Sequence, residues 1–177
     1  TFSERDSRVN RSKHTKGTEL NKLKHWVQYG PSYFGNEKYF GSSIRVSNDG
    51  LLMVVVVGLQ NNSGGGYRSV VRTFERLTNE ETDWKYMATI SNTDERDGFF
   101  PKSIALSEDG LTLAIASPEN GANGYRSGRV RCYFRESSQA KSWQKFGKDF
   151  FGVGPRGLFG YGLSLSSDGT VIAISAP

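Results

Sequence analysis

One unit of sequence recurs about every 60 residues along this chain of 177 residues, and the repeat constrains the fold more than any other feature. Three tryptophans mark the unit, 58 and 59 residues apart, and three Ser-x-Asp-Gly motifs mark it again, 60 and 59 residues apart. The marker residues are Trp26, Trp84 and Trp143, together with Asp49, Gly50, Asp109, Gly110, Asp168 and Gly169. A repeat of this kind indicates a fold in which one supersecondary unit is used several times.

Within each unit, the hydrophobic pattern predicts four antiparallel strands. Large apolar residues occupy alternate positions before each Ser-x-Asp-Gly motif, as Ile44 and Val46 do, which is typical of a half-buried strand. Asp-Gly is a strong hairpin signal because glycine accepts a positive φ, and an almost continuous apolar run follows it, at residues 51–57 in the first unit. A third strand, and a fourth in which aromatic and polar residues alternate from each tryptophan onward, complete the unit.

A four-stranded meander cannot bury both of its faces alone, and stacking several such sheets around an axis gives a β-propeller. The sequence therefore predicts an all-β fold, an open or partial propeller of about three blades with about 60 residues in each blade. Blades are expected at residues 40–90 and 100–149, the last strand of a preceding blade at 25–30, and the first two strands of the next blade at 159–177. Since closed rings have typically about 4–8 blades, we expect a piece of a longer protein, with completion of the ring by other chains as the alternative.

The net charge of +5 belongs mostly to the N-terminal residues. Residues 1–24 hold seven Lys/Arg against three Asp/Glu, which leaves the rest of the chain close to neutral. This segment is interpreted as a polar, basic, poorly ordered terminus, with binding of an acidic partner as the alternative. A nearly neutral body argues against a nucleic-acid partner. The longest apolar run, residues 51–59, is much shorter than the roughly 20 residues of a membrane-spanning helix, so no direct membrane insertion is expected.

Short motifs within the repeat resemble the FG-GAP repeat of integrin α-chain propellers. Phe-Gly pairs and small residues before proline carry the resemblance: Phe40-Gly41, Phe159-Gly160, Ser117-Pro118 and Ala176-Pro177. The chain departs from the pattern at Gly58-Leu59 and Phe100-Pro101. The resemblance covers about residues 26–177 and includes the period, which is longer than the about 40–45 residues of WD40 repeats and the about 50 of kelch repeats. It implies a propeller of the adhesion type that acts outside the cell or at its surface.

No cofactor, metal or catalytic group is predicted. Many proteins of the resembled family carry a calcium loop between the first two strands, but here that connection is a tight Asp-Gly turn, too short to gather several oxygen ligands. Both histidines, His14 and His25, lie near the N-terminus, which argues against a histidine-dependent site in the body of the chain. Gly152, Gly154 and Gly157 have the spacing of a dinucleotide-binding fingerprint, but they follow an outer strand and are expected to open no helix.

The candidate binding residues lie where loops meet the third strands. In the resembled family, the loops between the second and third strands and between blades face the ligand, and loops on a rigid scaffold commonly carry binding. Tyr67 and Arg68 in the first unit, and Tyr125 and Arg126 in the second, follow such a loop, and both residue types are frequent interface anchors. The alternative is that each tyrosine packs on a neighbouring blade while each arginine is solvated. The repeated tryptophans are interpreted as packing residues between blades.

These features predict a non-catalytic interaction module that presents loops to a protein or glycan partner and packs against remaining blades of the same or another chain. Two alternatives stay open. One is the propeller domain of a larger extracellular enzyme, and the other is an intracellular assembly scaffold in the cytoplasm, which a single cysteine permits. That cysteine, Cys132, is expected to be a buried and inert thiol.

Overall fold

The computed structural model describes residues 40–60, 67–91 and 101–177, all of which belong to one compact unit, Pro31–Pro177. The predictions for the polar segment 1–24, for the strand at 25–30 and for Trp26 lie outside the described residues.

Every regular element in these three ranges is a β-strand. The strands are β1 (Ile44–Val46), β2 (Leu52–Gln60), β3 (Tyr67–Glu75), β4 (Lys85–Ile90), β5 (Ser103–Leu106), β6 (Thr112–Ser117), β7 (Arg129–Phe134), β8 (Gln144–Phe151), β9 (Leu163–Leu165) and β10 (Ile172–Ile174). They form two four-stranded sheets in the orders β1-β2-β3-β4 and β5-β6-β7-β8, and a β9-β10 hairpin. All these pairings are antiparallel. The prediction of an all-β chain built from four-stranded antiparallel meanders is therefore confirmed, and the described sheets do not close into a ring.

No helix in the described part of the chain is long and apolar enough to cross a membrane. The strand limits differ slightly from those expected, because Trp84 and Trp143 lie just before β4 and β8 rather than within them. In both units the indole lies beneath an arginine side chain instead, 5.1 Å from Arg76 and 5.6 Å from Arg135 to the ring centroid.

The Asp-Gly turns have the same internal hydrogen bonds in each of the three units. In the second unit, Asp109 Oδ1 accepts from Ser107 Oγ at 2.5 Å and from the Leu111 amide at 2.9 Å, while the Gly110 amide donates to the Ser107 carbonyl at 3.0 Å. Gly110 has a φ of +70°, a conformation that glycine adopts without steric cost. The equivalent bonds are made around Asp49 and around Asp168. Each turn is therefore closed by its own side chains.

The same turns also join one sheet to the next. The Asn48 amide donates to the Glu108 carbonyl at 2.9 Å, and the Glu108 amide donates to the Ser167 carbonyl at 2.9 Å. The glycines of the turns have no side chain to hold the sheets apart, and a Cβ atom on Gly110 would lie 3.2 Å from Ser47 Cβ. On Gly169 it would lie 3.2 Å from Ser107 Cβ. The interface between the first and second sheets is thus repeated between the second sheet and the hairpin.

The main hydrophobic core lies between the two four-stranded sheets. Residues from both sheets form it: Leu52, Val54, Val56, Val71 and Ile90 from the first, and Ile104, Leu113 and Ile115 from the second. A second cluster, made by Val55, Val57 and Val70, lies on the opposite face of the first sheet, because successive residues of a strand point to opposite faces. Strand β2 is therefore buried on both faces, as its continuous apolar run predicts.

Two equivalent isoleucines differ in burial. Ile44 and Ile104 lie 60 residues apart at the same position of the repeat. Ile104 faces the first sheet and is 0% exposed, whereas Ile44 is 44% exposed. Among the residues that the structure describes, no sheet covers the face of the first sheet that carries Ile44.

Candidate functional site

The predicted binding residues of the second unit lie at the tip of the β6–β7 loop. Tyr125 is 64% exposed, and Arg126 is also exposed. Their counterparts Tyr67 and Arg68 begin β3, where their backbones pair with Gln60 and Leu59, but their side chains lie outside what the structure describes. The described candidate site therefore belongs to the second unit.

Two buried polar residues hold the base of this loop. The side-chain oxygen of Asn120 accepts from the Ala122 amide at 3.0 Å, and its backbone carbonyl accepts from the Gly128 amide at 2.9 Å. The hydroxyl of Ser127, which is fully buried, donates to the same carbonyl at 3.3 Å. These buried groups form hydrogen bonds with one another and with nearby backbone, so the base of the loop is fixed. The tip of the loop is exposed to solvent.

A second loop, between β8 and β9, is hydrogen-bonded along the first. The amides of Arg156, Leu158 and Phe159 donate to the carbonyls of Tyr125, Arg126 and Ser127, at 2.6, 3.0 and 3.1 Å. The Asn123 side-chain amide also donates to the Gly152 carbonyl at 2.7 Å. We call residues 118–128 and 152–160 together the double loop. It joins the loop between the second and third strands to the loop that leads into the next unit.

Two glycines allow the backbones of the double loop to touch. A Cβ atom on Gly152 would lie 1.9 Å from the Ser127 carbonyl oxygen, and one on Gly128 would lie 2.2 Å from the Phe159 carbonyl oxygen. Both distances are far inside van der Waals contact, so no larger residue fits without moving the backbone. Gly152 is the first glycine of the fingerprint-like spacing, and it lies between two strands and opens no helix, as the sequence predicts.

The double loop also concentrates backbone strain. Arg126, Arg156 and Leu158, with φ of 54°, 63° and 47°, are the non-glycine residues with positive φ in the described ranges, and all three lie here. Such a conformation costs on the order of 1–3 kcal/mol for each residue and persists only where the surroundings hold it. The hydrogen bonds between the two loops supply that restraint, and residues held in this way cluster at binding and catalytic sites.

The exposed surface of the double loop is aromatic and basic. The Arg126 guanidinium lies 5.5 Å from the centroid of the Tyr125 ring, and its Nη2 lies 3.8 Å from Glu119 Oε2. Arg156 is exposed and makes no ion pair with any residue that the structure describes. Beside the loop, Lys102 Nζ lies 5.1 Å from the centroid of the exposed Tyr161 ring. An exposed surface of this composition suits contact with another macromolecule better than catalysis on a small molecule.

A largely buried ion cluster, not predicted from the sequence, lies between strands β7 and β8. Arg129, Arg131 and Lys145 surround the carboxylate of Asp149, with Arg129 Nε 2.6 Å from Oδ2 and Lys145 Nζ 2.6 Å from Oδ1. Burial raises the pKa of Asp149, but the contacts with Lys145, Arg129 and Arg131 together outweigh burial and leave the pKa below its ordinary value. The signal in the sequence was a pair of arginines, Arg129 and Arg131, at alternate positions of the expected third strand.

The same ion cluster affects the pKa of Cys132, the single cysteine of the chain. Cys132 is half-buried rather than buried as predicted, because its strand lies beside the less covered outer strand β8. Burial and the negative charge of Asp149 raise the pKa of the Cys132 thiol, so the thiol stays protonated at neutral pH.

Two arginines at equivalent positions were also missed from the sequence. Arg76 and Arg135 lie 59 residues apart, so the repeat offset could have found them. Each donates from Nε at 2.8 Å to the carbonyl of the turn glycine, Gly50 or Gly110. Since each also covers the tryptophan of its unit, the arginine ties the hairpin turn to the start of the fourth strand.

Replacing Arg135 by alanine is expected to lower the free energy of unfolding by about 2 kcal/mol, because charge-assisted hydrogen bonds to two buried or half-buried carbonyls are lost. Arg135 is 5% exposed and donates to Gly110 at 2.8 Å and to Ser138 at 3.3 Å. Urea unfolding followed by tryptophan fluorescence measures the change. The control is Arg45→Ala, which removes an exposed side chain that donates to the adjacent Ile44 carbonyl. Equal free energies of unfolding for the two variants would contradict this role of Arg135 in holding the turn.

The carboxylate of Asp168 should titrate well below its ordinary range. Hydrogen bonds from the Ser166 hydroxyl and from Thr170 lower the pKa of Asp168 to about 2. Because the folded pKa is depressed, the turn is stabilised above the ordinary pKa of about 3.9 and loses that stabilisation as pH falls towards 2. Carbon-detected NMR titration should give this midpoint, and Ser166→Ala should raise it. The control is Ser164→Ala, an exposed position of β9, which should leave the midpoint unchanged.

In the described ranges, no group of three or more His, Cys, Asp or Glu side chains is placed to hold a metal ion. The turn aspartates use Oδ1 within their own turns. Comparison with models of known protein families, with curated proteins and with solved structures gave no match.

Proposed function

We propose that this chain is part of an FG-GAP-like β-propeller and acts as a non-catalytic interaction module. The double loop carries the proposal, because it offers an exposed tyrosine and two exposed arginines, Tyr125, Arg126 and Arg156, on a strained but well-restrained backbone. A surface that is already ordered before binding loses less conformational entropy on association. Tyrosine and arginine are also the residue types that most often carry binding energy at interfaces.

The repeated stacking supports the propeller part of the proposal. The backbone hydrogen bond from Asn48 to Glu108 recurs from Glu108 to Ser167, so successive units are related by one repeated arrangement. Ile44 and Val46 are exposed in the first unit, while Ile104 is fully buried against a preceding sheet. A further sheet of the same kind, from this protein or from another chain, would cover the exposed pair in the assembled ring.

The proposed partner is a protein or a glycan, and the resemblance to integrin-type propellers favours an interaction outside the cell or at its surface. The proposal includes no catalytic step. An enzyme would require chemistry from other parts of the protein, because the double loop combines no nucleophile with a general base.

Site-specific photo-crosslinking tests the binding surface. A benzoylphenylalanine at position 125 should give a discrete adduct with cell-surface or matrix proteins or glycoproteins, and unlabelled protein should compete it away. The control carries the same probe at position 86, since Tyr86 is comparably exposed but lies on the outer strand β4. Equal adduct yields at the two positions, or no competition, would overturn the assignment of the double loop.

A structure of the protein encoded by the complete reading frame tests the ring. The expected result is further sheets of the same repeat, one of which lies against Ile44 and Val46. Exposure of these two residues to solvent in the complete protein would contradict the propeller while leaving the role of the double loop intact.

A further inference from the structure

We propose that the double loop recognises an acidic peptide segment of its partner, whose carboxylates pair with Arg126 and Arg156. This inference rests on the proposed function, and it names the chemical class of the ligand at that site. Three observations support it: the charge of the surface, an internal carboxylate already placed at one arginine, and the rigidity of the backbone that holds both arginines.

The charge of the surface is the first observation. Lys102, Arg126 and Arg156 project from the double loop and its margin, while Glu119 is the acidic residue of residues 118–128 and 152–160. The local charge is therefore positive, although the body of the chain beyond residue 24 is close to neutral. A local excess of one sign attracts a partner of the opposite sign and raises its association rate.

The Glu119 carboxylate lies where the proposed peptide carboxylate would bind to Arg126. Its Oε2 lies 3.8 Å from Arg126 Nη2, and the Arg126 guanidinium lies over the ring of Tyr125. Both charged side chains are about half exposed, at 48% and 49%, so water weakens this contact. A partner carboxylate could replace Glu119 at Arg126 without unfolding the loop.

Arg156 supplies the second position. Its amide is hydrogen-bonded to the Tyr125 carbonyl at 2.6 Å, which holds the two arginine-bearing segments side by side. No residue that the structure describes forms an ion pair with Arg156. A guanidinium binds a carboxylate through two parallel hydrogen bonds, and such pairs are stronger than neutral hydrogen bonds. Arg126 has a carboxylate of this chain beside it, whereas the neighbouring Arg156 has none among the described residues. This pair of arginines favours an acidic peptide over an uncharged ligand.

Binding of a fluorescein-labelled deca-glutamate peptide to the full chain, measured by fluorescence anisotropy, tests the inference. Arg156→Gln should weaken binding about fivefold, the effect of losing one partly exposed ion pair. Glu119→Gln should tighten binding by about threefold, because it removes the internal competitor for Arg126. Since Arg156 and Glu119 are both exposed at their charged ends, neither variant is expected to disturb folding.

Two matched controls separate the double loop from general attraction of charge. Lys148→Gln makes the same change in net charge on the exposed face of β8, and Lys13→Gln with Lys16→Gln makes a larger one in the basic N-terminal segment. Lys148→Gln should change affinity less than Arg156→Gln, and the N-terminal pair should not abolish the effect of Arg156→Gln. Loss of affinity that tracks net charge alone would overturn the inference.

Competition and NMR distinguish the remaining outcomes. The Nε–Hε signals of Arg126 and Arg156 should shift as the peptide is added. A heparin hexasaccharide that binds more tightly than the peptide and displaces it would assign the site to a sulfated glycan and overturn the acidic-peptide inference. Normal crosslinking at position 125 together with no response to either acidic probe would reject the ligand class but leave the proposed function standing.

Discussion

Replacing Gly128 by alanine is expected to lower the free energy of unfolding by about 4 kcal/mol, or to displace the double loop. Gly128 has a φ of +89°, and a Cβ atom there would lie 2.2 Å from the Phe159 oxygen and 2.4 Å from the Phe159 nitrogen. The clash is with backbone rather than with the end of a flexible side chain, so it cannot be relieved by a rotamer change. Strain from the positive φ adds to the overpacking.

The matched control for this prediction is Gly154→Ala, in the same double loop. Apart from its chain neighbours, no atom of the residues that the structure describes lies within 4 Å of the position that its Cβ would take, so alanine should change stability by less than about 0.5 kcal/mol. Urea unfolding measures the stability of both variants, and amide chemical shifts of residues 125–127 and 156–159 report whether the loops remain paired. A Gly128→Ala variant as stable as Gly154→Ala, with unchanged shifts, would show that the two backbones do not touch.

Replacing Ile104 by alanine is expected to lower the free energy of unfolding by about 3 kcal/mol, because it opens a cavity in the core between the two sheets. Ile104 is 0% exposed and packs with residues of both sheets, including Val54 and Leu113. Its counterpart in the first unit, Ile44, is 44% exposed. Ile44→Ala should therefore cost less than about 1 kcal/mol, since much of that side chain already contacts water.

This pair of variants tests whether the stability loss depends on a residue's position in the repeat or on its surroundings in the tertiary structure. The two isoleucines are equivalent in sequence, so a fold in which every unit had the same surroundings would make the two substitutions equally costly. Thermal or urea unfolding of the full chain, compared with Ile44→Val and Ile104→Val as milder changes, gives the measurement. Equal losses for the two alanine variants would mean that a further sheet covers Ile44 in this chain.

The candidate site was predictable only in part. The pattern placed Tyr125 and Arg126 where a Gly- and Asn-rich loop meets the third strand, whereas β7 begins only at Arg129 and both residues lie exposed in the loop. Arg156 was not found, because it belongs to a different connection and is brought beside Tyr125 by a backbone hydrogen bond between segments about 30 residues apart. Arg135 repeats Arg76 at the period of the chain, so its role could have been inferred from the spacing.

The sequence by itself determined the strands and their order. Period-2 alternation, Asp-Gly turns and a repeat of about 60 residues leave little choice but short antiparallel meanders, since each signal is local and depends only on backbone geometry and side-chain polarity. The tertiary structure decided which side chains are buried and which distant segments of the chain lie close together. Whether Ile44 or Ile104 is covered depends on which sheet lies against it, and whether Gly128 tolerates a side chain depends on a loop that arrives from far along the chain. Contacts between distant segments depend on how the sheets pack, and no local pattern of residues encodes them.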